Sequence, residues 1–415
     1  VIVRAEKRFS SALREGTRRR IEHIKHADII VGIPSYNSAD TISFVIENVA
    51  KGLDKYYSDF KCLIFVSDGG STDDTREVAS EVDTEEYEIE KIITIYRGIP
   101  GKGSAVRAIL EAAEFLKVRA VALFDSDLKS ITEEWVKNLI TPLIDGYDFV
   151  APDYKRFKFD ATITNTIAYN LTRALYGYRL RQPIGGDFGL SLPLVKFFLD
   201  QDVWETAVAK FGIDIWMTTN AIVNNFKLCQ ARLGAKIHRK KNPAEDLSPM
   251  FREVVGTIFL LMEEFEDFWK NVKGSKPVLT FGDYLESEVE PFEIDKKELI
   301  DYYKLGYRNF GSVWKSIVDE RDCKVLENLF RASEDDFIFP VESWVRTVYR
   351  YANAFHLTPR QKFKLLNTMI PLYHARVASL VNELTGKSDQ EVENYFEFQA
   401  EKFEEMKPYL LEIWG

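Results

Sequence analysis

The segment "AVALFDSDLK", residues 120–129, decides how the chain is read. An apolar run of strand length ends in two aspartates one residue apart, Asp125 and Asp127. A strand apolar on both faces belongs inside a parallel sheet. The carboxyl edge of such a sheet is where ligands bind. Carboxylates at i and i+2 on that edge can converge on one hard cation, and Mg²⁺ or Mn²⁺ so held keeps waters and bridges a diphosphate. The plainer alternative is a turn and helix cap, since "SDLKSITEEW" also supplies capping residues.

Working outward, "ADIIVGIPSYN" (27–37), "KCLIFVSD" (61–68) and "KIITIYR" (91–97) read as further strands. Between them lie segments of helical spacing, with Ile42, Val45, Ile46 and Val49 on one stripe of "DTISFVIENVAKGL" and a second helix in "SAVRAILEAAEFL". Ser71 with Asp74 has the spacing of a capping box. Strands alternating with helices imply an α/β fold: a Rossmann-like, mostly parallel sheet with helices on both faces. "YDFVAPDY" and "CQARLGAKIH" are later strand candidates, and 248–270 reads as one amphipathic helix. The Gly-, Ser- and Pro-bearing "KGSKPVLTFGDY" (273–284) is the expected linker to a helical C-terminal domain. Two helix starts are expected there, at Thr358-Pro359 with Gln361 and at Ser388 with Glu391. The expected domains are an N-terminal helix in 1–27, a catalytic α/β domain over 28–272 and helices over 285–415.

Length and composition narrow the function. The 415 residues allow two cores, and a formal charge of −10 argues against a nucleic-acid-binding surface. The three cysteines, Cys62, Cys229 and Cys323, are far apart and form neither a disulfide framework nor a zinc pattern. "VVGTIFLLM" (254–262) is too short to span a bilayer, and charges interrupt the N-terminal twenty residues, so a cytoplasmic protein without an integral membrane segment is expected.

Three neighbouring features favour the cation over the cap. In "FVSDGGSTDDT", Asp68 ends a strand before a glycine pair, where a carboxylate can meet a base or ribose. In "PGKGSA", Lys102 stands between glycines at a helix start, suited to a phosphate, although the P-loop pattern is absent. His238, in "AKIHRKK", follows a strand beside Arg239, Lys240 and Lys241. It is either a structural histidine or a further metal ligand in a cationic site.

Together "GIPSYNSADTI", "SDGGSTDDT" and "FDSD" resemble the GT-A glycosyltransferases, which take nucleotide sugars and carry a D-x-D metal motif. "RFKFDATIT", "QPIGGDFGLS", "GIDIWMTTNA" and "AKIHR", in that order, are similar to the retaining synthases that glycosylate glycerate, the mannosylglycerate and glucosyl-3-phosphoglycerate synthases. The resemblance covers about residues 28–260 and implies a site. Asp127 and His238 would hold Mg²⁺ or Mn²⁺. Asp125 would face the ribose or donor sugar, and Pro34, Ser35, Tyr36, Asp68, Lys102 and Arg239 would bind the donor. Gly185 and Gly186 would make room for the sugar, with the Ile184 carbonyl near the reacting carbon. Asp214 would hold sugar hydroxyls or the acceptor, and Arg156, Asp160, Ala161 and Thr164 would bind glycerate.

The implied donor is GDP-mannose, GDP-glucose or UDP-glucose. The implied acceptor is the 2-hydroxyl of D-glycerate, giving a mannosyl- or glucosylglycerate, a compatible solute. Phosphoglycerate-using relatives are expected to carry Gly-Arg-x-Thr where this chain has "FDATIT", and an aspartate there would repel a phosphate. Lys155 and Lys158 are the counterweight. Two other readings are a nucleotidyltransferase, whose glycine-rich start is absent from "VGIPSYNSAD", and a non-catalytic sugar-nucleotide sensor or helical scaffold. Whether two chains pair through the C-terminal helices as a homodimer is left open by the sequence.

Overall fold

The computed structural model describes residues 10–238, 247–283 and 288–414. Its main sheet has eight strands in the order β10-β8-β5-β7-β4-β1-β2-β3. They are β1 (Ile29–Ser35), β2 (Cys62–Asp68), β3 (Glu90–Ile95), β4 (Ala120–Leu123), β5 (Phe149–Lys155), β7 (Phe188–Ser191), β8 (Leu228–Ala235) and β10 (Thr280–Phe281). A separate pair joins β6 (Tyr178–Arg179) to β9 (Lys276–Pro277). β1, β2, β3 and β4 pair in parallel, as do β5, β8 and β10. β7 is antiparallel to both β4 and β5.

Alternation along the strands gives the sheet two apolar faces. Ile29, Val31 and Ile33 of β1 join Ile42, Val45, Ile46 and Val49 of the helix Ile42–Tyr57 and Trp135, Val136 and Leu139 of the helix Glu133–Ile144 in one core. Gly32 points the other way, where a Cβ would meet Ile109 of the helix Lys102–Leu116 at 2.4 Å. The expected sheet covered on both faces is therefore present.

Several local expectations are corrected. Ser71 does not cap the helix Thr75–Glu81, because its hydroxyl donates to Asp68 and Asp74 is the N-cap residue. Thr358 follows the end of the helix Val341–Leu357, and Gln361 itself precedes the helix Lys362–Leu384. Ser388 and Glu391 do form a capping box. The expected helix 248–270 is broken at Phe265 into Leu247–Glu264 and Glu266–Asn271.

The chain forms two compact units, and their boundaries do not follow the expected 28–272 and 285–415 division. The first comprises Val1–Arg156, Arg181–Arg239 and Val278–Val289; the second comprises Phe157–Leu180, Lys240–Pro277 and Glu290–Gly415. The stretch 273–284 is crossed by a unit boundary and supplies β9 and β10. Burial explains the division. In the second unit Trp344 donates its indole N–H to the Thr166 carbonyl at 2.9 Å, and Phe251 lies 4.8 Å from Tyr373, ring centre to ring centre. Apolar faces from early and late sequence thus share one helical core.

Candidate active site

The antiparallel β7 builds the site. Its register sets Leu123 opposite Phe188, so the loop Ile184–Asp187 meets the end of β4. The Asp125 backbone N–H donates to Asp187 Oδ1 at 2.7 Å. β5 and β8 run side by side to the same edge, where the Lys236 N–H donates to the Lys155 carbonyl at 3.1 Å. Two helices begin there: Lys102 is the first residue of Lys102–Leu116, and Asp214 lies in the first turn of Ile213–Val223. A helix N-terminus favours the Asp214 carboxylate.

These segments meet in a buried ion network. Lys102 Nζ donates to Asp125 Oδ1 at 2.8 Å, to the Gly186 carbonyl at 3.3 Å and to Asp214 Oδ2 at 3.3 Å. Lys236 Nζ donates to Asp125 Oδ2, Asp187 Oδ2 and the Gly185 carbonyl, each at 2.8 Å. An ammonium has three protons, so both lysines are fully engaged. The Tyr154 hydroxyl also donates to Asp187 Oδ2. Asp214 is only 8% exposed, and its Oδ1 has no partner among the described residues.

The charges do not balance, with three carboxylates against two ammoniums. Burial pushes the Asp125 carboxyl upward, but Lys102 and Lys236 outweigh it and hold the group well below the usual carboxylate range. Burial wins at Asp187 and Asp214, whose pKa values lie above the ordinary value despite a lysine beside each. Burial would discharge the two lysines, yet the aspartates keep both raised.

Asp127 is half-buried in the turn after β4. The next residue, Leu128, forms an antiparallel bridge with His238, and the Lys129 N–H donates to the Ile237 carbonyl at 2.8 Å. His238 Nε2 lies 3.0 Å from Arg156 Nη2. Among the described residues no group of three or more His, Cys, Asp or Glu side chains is arranged to hold a metal. The Leu128–His238 bridge sets Asp127, one residue earlier, on a segment adjoining His238, and a cation held there would draw its other ligands from water and a diphosphate. Nε2 has a single lone pair, so it serves either the guanidinium or the cation.

Other expected site residues have different tasks. Asp68 is buried, with Oδ1 accepting from the Gly70 and Ser71 N–H groups at 2.8 Å and Oδ2 from the Ser71 hydroxyl at 2.6 Å and the Ser35 hydroxyl at 3.0 Å. It shapes the loop from within instead of presenting a free carboxylate to a base, and Ser35 is committed to it. Pro34 is an interior residue of β1, whereas Tyr36 is 61% exposed just beyond it. Lys102 points at Asp125 and Asp214, not outward to a nucleotide. Its glycines serve packing: a Cβ on Gly103 would sit 1.9 Å from the Val208 carbonyl oxygen.

Asp160, Ala161 and Thr164 lie in the second unit, and Arg156 in the first. Asp160 Oδ1 accepts from the Ala161 N–H at 2.7 Å, and Ala161 has a left-handed φ of 52°. Thr164 opens a π-helical turn, Thr164–Ala168, a distortion common near functional sites. Arg239 falls outside the described residues.

Sequence reasoning missed Lys236, Asp187 and Tyr154. A signal existed for Lys236, which stands two residues before His238 and so shares its face at a strand end. Asp187 was visible only as the residue after a glycine pair.

Residues 30–190 match the family model described as Glycosyl transferase family 2. The glucosyl-3-phosphoglycerate synthase of Mycolicibacterium paratuberculosis is 26% identical over 248 residues, 55% of this chain and 71% of that protein. Glycosyltransferase AglJ of Haloferax volcanii is 32% identical over 120 residues, 29% of this chain and 34% of that protein. A crystal structure of the Mycobacterium tuberculosis glucosyl-3-phosphoglycerate synthase with Mn²⁺ and UDP-glucose overlaps loosely, with a TM-score of 0.42 and 23% identity over 60% of this chain and 84% of that one. Residues 30–190 are thus similar to family 2 glycosyltransferases, and 55% of the chain is similar to a glucosyl-3-phosphoglycerate synthase.

Proposed function

We propose that the protein transfers a hexose from a nucleoside-diphosphate sugar to the 2-hydroxyl of a glycerate-type acid, retaining the anomeric configuration. The observation that carries this reading is Asp214, a buried carboxylate with one oxygen on Lys102 and the other without a partner among the described residues. A buried acceptor left open beside a glycine loop is suited to the hydroxyls of a sugar. Gly185 and Gly186 let the loop lie close against Pro152 and Asp125, and in this reading the Ile184 carbonyl would stand near the developing positive charge at the reacting carbon. Lys102, held by two 3.3 Å bonds and one of 2.8 Å, can turn toward a phosphate by giving up the longer ones. Arg156 pairs with the acceptor carboxylate. A divalent cation on Asp127 and His238 would offset the charge of the departing diphosphate.

For the acceptor, "FDATIT" favours free D-glycerate, because Asp160 would oppose a phosphate. The names of the relatives favour 3-phosphoglycerate as the second reading. The test is a matrix of UDP-glucose, GDP-glucose and GDP-mannose against D-glycerate, 3-phosphoglycerate and lactate, with and without Mn²⁺ or Mg²⁺, read by mass spectrometry. The expected result is a metal-dependent hexosylglycerate with an α-anomeric proton by NMR. A β-linked product refutes retention, and exclusive use of 3-phosphoglycerate refutes the acceptor choice.

A further inference from the structure

Lys236 has no role in the reading above, yet it is the more deeply enclosed of the two lysines in the network. Its side chain is 4% exposed, against 13% for Lys102. Its three bonds are all 2.8 Å, whereas two of the three at Lys102 are 3.3 Å. It joins three places in the chain: Asp125 after β4, Gly185 in the loop before β7, and Asp187 at the end of that loop. We propose that Lys236 is a positioning residue, a buried clamp that fixes the Ile184–Asp187 loop and Asp125 so that both meet the donor sugar in one geometry. The proposal rests on the transferase reading for its catalytic consequence, and on the ion network alone for the clamp.

The loop needs such a clamp. Gly186 has φ +91°, and a Cβ there would lie 2.2 Å from Asp125 Oδ2, so the loop is pressed against the carboxylate in a conformation only glycine adopts freely. The Gly185 N–H donates to the Gln182 carbonyl at 3.1 Å, and the Thr218 hydroxyl to the Pro183 carbonyl at 2.6 Å. Those bonds anchor the start of the loop. The Gly185 carbonyl, one peptide beyond Ile184, is anchored by Lys236. Three short bonds to one enclosed ammonium set a direction that a mobile, solvated lysine would not.

The test separates clamping from charge balance. Lys236→Met alone strands two buried carboxylates, so it is combined with Asp187→Asn, which removes one charge of each sign. The double variant is expected to melt within a few degrees of wild type, to lose at least 30-fold in kcat with donor KM changed less than threefold, and to exchange the 183–188 backbone amides at least tenfold faster. Lys236→Arg keeps the cation but cannot set one nitrogen on three acceptors, and the same losses are expected. Wild-type turnover or wild-type exchange in the folded variants overturns the proposal. If the wild type transfers no sugar to any acceptor, the transferase reading fails while hydrogen exchange still decides the clamp.

Discussion

In the first unit the buried charge gathers as aspartates and lysines in unequal number; in the second, arginines are closed in by carboxylates, carbonyls and hydroxyls. Arg376 is fully enclosed among helices. Its Nε donates to Gln399, its Nη1 to the Phe339 carbonyl and Glu383 at 2.8 Å, and its Nη2 to Tyr395 and Gln399. Arg173 reaches Glu397 at 2.7 Å and Glu404 at 2.9 Å, and Arg346 grips the buried Asp322 with two nitrogens. A guanidinium stays charged in any such setting and its planar fork fixes partners in space. The Asp125 network instead leaves two carboxylates with raised pKa values and one oxygen open. Structural charge is closed, whereas charge meant for a substrate is left with something to gain.

The largest test of that contrast is Asp125→Asn. It removes one of three carboxylates and leaves two against two ammoniums, while the amide oxygen keeps one lysine bond. Turnover is expected to fall at least ~10²-fold, on the scale of losing a preorganised electrostatic group. The melting midpoint should move only a few degrees. A large stability loss with intact kcat would make the network structural, like the arginine sites.

Arg376→Met probes the other side. It removes the cation beside Glu383, which keeps the Ser379 and Tyr395 hydroxyls, and takes the arginine donors from the Gln399 amide oxygen and the Phe339 carbonyl in a closed core. Breaking a buried pair in this way costs about 3–5 kcal/mol. For a protein of this size that corresponds to a drop on the order of 10 °C. Thermal melting checks the stability, and turnover per folded molecule at a temperature below the new transition is expected to stay near wild type. A selective loss of turnover would remove the distinction between the two kinds of buried charge.

What was legible in the sequence follows the same physical line. β1, β2, β3 and β4 announce themselves as apolar runs, and the helix Lys102–Leu116 by its spacing, because burial on defined faces writes a period. Asp125, Lys102 and Asp214 stood out in sequence for separate roles, and the fold brings them into one ion network. Their partners were hidden. β7 is as short as β4 but reads "FGLS", where a glycine and a serine break the apolar run that marks "AVAL". Without it, nothing brings Asp187 to Asp125. The direction of a carboxylate is equally silent: Asp68 looks in sequence like a ligand group, yet its oxygens accept from Gly70 and Ser71 of its own loop and from Ser35 at the end of β1. The units divide differently from the expected domains because Phe157–Leu180 and the helix Leu247–Glu264 pack with helices far along the chain, as Trp344 does on Thr166 and Phe355 on Phe259.

The smallest effect concerns the thiols. Cys62 and Cys229 lie in the first unit, in β2 and β8, and burial pushes each up to about 12; Asp28 adds to the shift at Cys62, and Lys227 opposes it at Cys229. Cys323, in the second unit, is half-exposed on the helix Glu320–Arg331, and its pKa is also raised by burial. At pH 8 a thiol with a pKa near 12 is ionised to about one part in 10⁴, and only the thiolate reacts readily. Ellman's reagent at pH 8 is therefore expected to titrate a single slow thiol in the native protein and all three in denaturant. Mass spectrometry of the first adduct should place it on Cys323. Early labelling of Cys62 or Cys229 would mean that the sheet opens at β2 or β8. It would then fail as the rigid frame on which the open carboxylate of Asp214 depends.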